Sequence, residues 1–307
     1  MLEESFDVIR GKGTGNIPQE AQGCHGMIVR VSKITAEVMD ALPSLRVIAK
    51  HGMGVDNIDV EYATKKGILV LNAPYSNLNA VAEHIVMLIL ALSKRTVQMD
   101  RITRNGGFSK RTSYKNIELQ GATLGIIGMG KISSLVAKKL AGFEMNLLAN
   151  DPAVSQENVN DLHVRMVTQE ALLAQADFVL VHTSLTASTF HLIGAEHFHA
   201  MKHTAFLINA SRGAVVDEAA LVAALQSREI AGAGLDVFEE EPPARDHPFF
   251  SMENVILSPH NAALTHRALL NMAMDSASGV ADYLSGRRPA YPVNLEALER
   301  RLRTEAK

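Results

Sequence analysis

One cysteine, Cys24, stands among the 307 residues, so no disulfide can form within the chain, and a lone thiol fits a reducing cytosol. Positive charge is not in excess either: 30 Lys and Arg against 33 Asp and Glu leave a net charge of −3. Neither nucleic acid nor an anionic membrane surface attracts such a chain, which excludes a general binder of either. No apolar run is long enough to span a bilayer. The most apolar stretch, IVMLILAL from Ile85 to Leu92, falls well short of the roughly 20 residues required. Glu83 and His84 precede it and Lys94 and Arg95 follow, so it reads as a helix buried on most faces. The opening MLEESFDVIRGKGTGN has no basic region followed by an apolar run, so a secretory signal is not expected. Tryptophan, sequence repeats and low-complexity tracts are missing as well.

Against these absences stands an ordinary globular composition, 47% apolar and 21% charged, on a chain long enough for one large core or two smaller ones. Short β-branched runs alternate with helix-like segments. GMIVRV, LRVIAK and GILVLN come first; ATLGIIGMG, NLLAND, DFVLVH, AFLINA, AGLDVF and NVILSP follow. That alternation predicts an α/β protein of parallel sheets with helical crossovers. One boundary is expected between Ser93 and Asn105, where a long helix gives way to NGGFSKRTSYKN, and a second in LSGRRPAYP, from Leu284 to Pro292. The middle of the chain then forms one domain, and the two ends join to make the other.

Within LGIIGMGKISSLVAKKL, an apolar strand leads into Gly128 and Gly130, and an amphipathic helix follows. Glycines here permit a tight turn and let the backbone approach a pyrophosphate, which rests on the positive end of the helix. The third glycine of the pattern is replaced by Ser133, which loosens helix–strand packing only slightly. Asp151 ends the next strand, LLAND, at the spacing where a carboxylate accepts hydrogen bonds from a ribose and repels a 2′-phosphate. The pair predicts NAD rather than NADP.

Six ordered blocks extend the pattern over nearly the whole chain: HGMGVDNID, GILVLNAPYSNLNAVAEH, LGIIGMGKI, LINASRGAVVDEAAL, AGAGLDVFEEEPP and SPHNAALT. In these the sequence resembles the NAD-dependent D-isomer-specific 2-hydroxyacid dehydrogenases, the family of D-3-phosphoglycerate, glyoxylate/hydroxypyruvate and D-lactate dehydrogenases. The resemblance implies two Rossmann-like, doubly wound parallel-sheet domains. Residues 1–94 plus 285–307 would be a flavodoxin-like substrate domain built from both chain ends and lacking its usual first strand, with MLEESFDVIRGKG as the tail of the first helix. Residues 95–284 would bind NAD.

The resemblance also implies site residues. Arg212 matches the family's substrate-binding arginine, Glu241 the glutamate that pairs with the catalytic histidine, and His260 that histidine. Cofactor contacts fall on Gly128, Gly130, Lys131, Ile132, Asp151, His182, Thr183, Ala210 and Asp236, with His260 at the nicotinamide end. Met53 and Gly54 match a turn whose N–H groups bind the substrate carboxylate. Phe108 stands where relatives place a tryptophan in the contact of a homodimer, and no regulatory domain is expected after Asn294. A binding protein of the same fold is the other reading, since transcriptional corepressors share it and take NAD as a conformational ligand.

The chemistry suits these residue types. Oxidising a 2-hydroxyacid needs a base for the hydroxyl proton, and imidazole titrates near working pH. A carboxylate beside it favours the charged form. A guanidinium offers a planar fork that matches a substrate carboxylate. Of the three acids in EEEPP, Glu239 and Glu240 are expected to be solvated and Glu241 to lie in the cleft. Arg30, Lys33 and Lys50 bracket the Met53 turn and suggest a phosphate contact, although isolated basic residues after strands are ordinarily solvated. His197, His199 and His203 in AEHFHAMKH show no acidic partner in the sequence, so no metal site is expected.

Overall fold

Strand residues alternate between two faces of each sheet, and each face meets its own layer of helices. The computed structural model describes residues 2–12 and 15–305, the last four by backbone alone. The chain divides into two compact units, Met1–Asn77 with Thr265–Lys307, and Leu78–Leu264.

In the first unit, β1 (Gly26–Val29), β2 (Val47–Lys50) and β3 (Leu69–Leu71) form a parallel sheet in that order. Ile48 and Val70 face one core with Ile34, Met39 and Ile58. Val47, Ala49, Leu69 and Leu71 face the other, against Val280 and Leu298 of the C-terminal helices. Period-two alternation with helices on both sides is what makes the sheet doubly wound. Among its described residues, the N-terminal stretch expected as the tail of a helix forms only a 3₁₀ turn, Leu2–Glu4, before the short helix Ile17–Glu20; Met1 and Gly13 of that stretch lie outside the described residues.

The second unit holds seven parallel strands: β4 (Thr123–Ile127), β5 (Asn146–Asn150), β6 (Val164–Met166), β7 (Phe178–Val181), β8 (Phe206–Asn209), β9 (Gly232–Leu235) and β10 (Val255–Leu257). Their order is β10-β9-β8-β7-β4-β5-β6. In β7, Phe178 and Leu180 pack toward the helices Leu78–Ser93 and Lys131–Leu140, while Val179 and Val181 pack toward Gln169–Gln175 and Glu218–Gln226. Strand order reverses between β4 and β7, and in open sheets of this kind ligands bind at that crevice, beyond the carboxyl ends of the strands.

Register places those ends level. Ile127 pairs with Asn150 and Val181, Val181 with Asn209, Asn209 with Leu235, and Leu235 with Leu257. The next residue of each strand therefore falls in one row: Gly128, Asp151, His182, Ala210, Asp236 and Ser258.

Both domain boundaries differ from the sequence reading, each by one helix. Leu78–Ser93, expected with the first domain, packs on the helix Lys131–Leu140 and on β8 and β9; His266–Leu284, expected with the second, packs on β1, β2 and β3. Polar, glycine-bearing connections mark where a chain turns, but the apolar face of a helix decides which core it joins. Among the described residues no helix is long and apolar enough to cross a membrane.

Candidate active site

The row begins at the β4 turn. Gly128 has φ +93°, and a Cβ there would lie 2.5 Å from the His182 carbonyl oxygen, so both conformation and space demand glycine. Gly130 precedes the helix Lys131–Leu140, and a Cβ on it would meet nothing within 4 Å. No side chain caps that helix start, which leaves its positive end to an anion. Ser133 does more than fill the third glycine's place. It is 1% exposed, and its hydroxyl donates to the Gly128 carbonyl at 2.6 Å, tying the helix to the turn.

Asp151 is held by its neighbours: Oδ2 accepts from Met129 N at 2.8 Å and Oδ1 from Ala153 N at 2.9 Å. Each oxygen keeps a lone pair for a further donor such as a ribose hydroxyl. Across the crevice, His182 Nε2 is buried without a partner among the described residues. Burial, with the Arg212 charge adding, drives the imidazole down to about 4, although a backbone hydrogen bond pulls the other way. The turn, the uncapped helix start, the fixed carboxylate and the orphaned imidazole nitrogen together fit a dinucleotide.

Arg212 sits on a loop shaped by Asn209. The Asn209 side chain accepts from Ser211 N at 3.0 Å and Ser211 Oγ at 2.9 Å, and donates to the Arg212 carbonyl at 2.9 Å. Gly213 closes the loop against the backbone after β9; a Cβ there would fall 1.9 Å from Phe238 C. That approach brings Arg212 beside the acidic segment. Glu241 Oε2 lies 2.7 Å from His260 Nδ1, and Oε1 accepts from Phe238 N at 3.1 Å. Burial opposes ionisation of Glu241. The hydrogen bond and charge of His260, the Phe238 N–H and the Arg212 guanidinium outweigh it and hold the carboxyl below its ordinary value. A cavity of about 330 Å³ opens beside the pair, walled by Phe238, Pro242, Pro243, Phe250, Leu257 and Pro259.

His260 has φ +49°, a left-handed conformation that costs a residue with a Cβ roughly 1–2 kcal/mol. It persists because both flanks are fixed by Asp236, which is 1% exposed. Asp236 accepts from Ser258 Oγ at 2.6 Å, Asn261 N at 2.9 Å and Ala262 N at 2.9 Å. Asp236 thus clamps the histidine loop. Asn209, Gly213 and Ser258 were not singled out in the sequence. Only the positions of Asn209 at the end of β8 and of Ser258 just after β10 hinted at them.

Glu239 is exposed on its loop, as expected, yet its carboxylate and its N–H are tied to neighbours. Oε1 lies 2.9 Å from His191 Nε2, and its N–H donates to Glu218 Oε2 at 3.0 Å, while Glu218 Oε1 meets His247 Nε2 at 2.9 Å. These bonds fasten the acidic segment to the helix Glu218–Gln226. Glu240 is exposed, as expected. Two of the AEHFHAMKH histidines do have acidic partners: His197 has Glu196, at 3.7 Å within the same segment, and His199 has Glu229, contributed from a distant part of the sequence.

Met53 and Gly54 belong to the first unit, in the turn after β2. Asn72 Nδ2 donates to the Met53 carbonyl at 2.8 Å, and among the described residues the two N–H groups meet no acceptor. Lys50 does not stand ready for a phosphate: Nζ donates to the Arg30 carbonyl at 2.5 Å and to Asn57 Oδ1 at 2.6 Å. Lys131, Ile132 and Thr183 lie at the first turn of the helix and at the end of β7, and Ala210 at the end of β8.

A parallel sheet of this order, with a glycine turn at its switch point and a histidine–carboxylate pair on the same edge, is the frame of a dinucleotide-dependent oxidoreductase. Sequence comparison makes the class particular. The D-isomer specific 2-hydroxyacid dehydrogenase, NAD binding domain, matches residues 86–262. The chain is similar to a D-3-phosphoglycerate dehydrogenase of Archaeoglobus fulgidus, 39% identical over 97% of this chain and 58% of that protein. It is likewise 39% identical to a glyoxylate reductase of Korarchaeum cryptofilum, over 92% of this chain and 86% of that protein. A D-lactate dehydrogenase from Aquifex aeolicus, solved with NAD and lactic acid, superposes with a TM-score of 0.82 at 32% identity, covering 92% of this chain and 87% of that one. The chain belongs to the D-isomer specific 2-hydroxyacid dehydrogenase family, and is an NAD-dependent oxidoreductase.

Proposed function

We propose that the chain interconverts a D-2-hydroxyacid and its 2-ketoacid, with His260 as general acid–base, Glu241 as its partner and Arg212 as the carboxylate-binding group. The observation that carries this reading is the 2.7 Å contact between His260 Nδ1 and Glu241 Oε2, made within the field of Arg212. With Nδ1 engaged by the carboxylate, Nε2 is the nitrogen left for substrate. In oxidation Nε2 accepts the hydroxyl proton, and Glu241 stabilises the imidazolium that results. In reduction the same nitrogen returns a proton to the keto oxygen. Arg212 binds the carboxylate and polarises the adjacent carbonyl. NAD(H), when bound, takes up or supplies the hydride. Gly128, Gly130, Lys131 and Ile132 would hold its pyrophosphate, Asp151 its ribose, and His182, Thr183, Ala210 and Asp236 would line the rest of the crevice. The N–H groups of Met53 and Gly54 supply further anion-binding donors.

For substrate we favour a small ketoacid with no charge beyond its carboxylate, glyoxylate or hydroxypyruvate, because the Lys50 ammonium is already engaged within the first unit. We assign the chain to the cytoplasm as a homodimer, built through the cofactor unit with Phe108, 66% exposed, in the contact. An NADH-consumption screen with glyoxylate, hydroxypyruvate, pyruvate and 3-phosphohydroxypyruvate tests the activity. Turnover highest with the first two is expected. Turnover with none of the four removes the reading.

A further inference from the structure

The helix Leu78–Ser93 carries a second histidine toward the loop that presents His260. His84 Nε2 lies 3.0 Å from Ser258 Oγ and 3.6 Å from Asp236 Oδ1, with its side chain only 14% exposed. Ser258 has one hydroxyl proton. Asp236 Oδ1, at 2.6 Å, is the nearest acceptor for it; the Leu235 carbonyl is at 3.5 Å. The Ser258 oxygen is then an acceptor toward His84, so His84 Nε2 carries the proton and donates. The order of donation runs from His84 to Ser258 to Asp236, and Asp236 holds Asn261 N and Ala262 N beyond it. Burial lowers the His84 pKa, outweighing the pull of Asp236, so the imidazole is a neutral donor. An acid–base residue that must keep a strained backbone needs support on both sides, and a misplacement of about 1 Å can cost on the order of 100-fold in rate.

We infer that His84 is a positioning residue for the reaction: through Ser258 and Asp236 it fixes the left-handed turn at His260 and so aims that imidazole. The inference rests on the proposed role of His260. It also makes a claim about hydrogen bonding that holds in the free protein, whatever the substrate.

Two measurements test it. In His84→Leu, which removes the donor but keeps an apolar fill, kcat falls about 10- to 100-fold while the Kd for NADH stays within about twofold. His84→Gln, whose amide offers an N–H at a similar reach, recovers most of the loss. In the free wild-type protein, nitrogen-15 labelling of histidine shows His84 in the Nε2–H tautomer. Unchanged turnover in His84→Leu overturns the inference, as does a Gln variant as slow as the Leu variant, or an Nδ1–H tautomer. A wild-type protein that reduces no ketoacid overturns the proposed function instead, and the tautomer spectrum still decides the hydrogen-bond order.

Discussion

Three histidines of the second unit sit in different electrical settings. His260 is nearly half exposed and bonded to a carboxylate, whereas His84 and His182 are desolvated. His182 makes the cleanest pH prediction. Its folded pKa of about 4 lies below the unfolded value near 6.5, so between those values the unfolded chain binds more protons than the folded one. The stability contributed by the neutral imidazole is whole above pH ~6.5 and is lost as pH falls toward 4, by about 1.4 kcal/mol per unit. Urea denaturation of the free protein at pH 7 and pH 4.5 measures this directly. The gap between wild type and His182→Gln should move in the variant's favour by roughly 2–3 kcal/mol across that interval; a constant gap contradicts the buried, neutral state. Glu241, held low, contributes the other way: its stabilisation is present above the unfolded carboxylate value and is lost only as pH falls through its lower folded one.

Strand ends, more than any single residue type, assemble the site. The strand–turn–helix from β4 through Lys131–Leu140 and the Asp151 carboxylate after β5 act together on the cofactor. NADH should therefore bind about tenfold or more tightly than NADPH, since a carboxylate facing a 2′-phosphate costs several kcal/mol. Titration of both cofactors checks this, and Asp151→Ala should narrow the difference; equal affinities in the wild type would remove Asp151 from the ribose site. Of the ten strands among the described residues, nine were legible because each is a short apolar run closed by a polar residue or a turn. β6 was not, for it is three residues long with Arg165 at its centre and no pattern to read. Arg212, Glu241 and His260 were legible as members of ordered blocks. Their supports were not: Asn209 and Ser258 look like any polar residue at a strand's end, and the need for glycine at 213 depends on a backbone brought near by folding.

At the scale of the whole molecule, the two units each close a sheet between two cores, and the chain crosses between units at two places, before Leu78 and after Leu264. The expected crossings fell one helix later because a helix's allegiance depends on which apolar surface covers it, a long-range fact that local composition does not encode. Exposed apolar side chains on the cofactor unit, Val97 at 55% and Phe108 at 66%, support the proposed homodimer. Sedimentation equilibrium should give a dimer for the wild type and a shift toward monomer for Phe108→Asp; a wild-type monomer contradicts the assembly. The most direct test of the whole account compares wild type with His260→Ala in steady-state reduction of the best ketoacid, with NADH binding measured in parallel. The account predicts a kcat lower by about 10²- to 10⁴-fold with NADH affinity unchanged within about twofold. Near-normal turnover in the variant would contradict it.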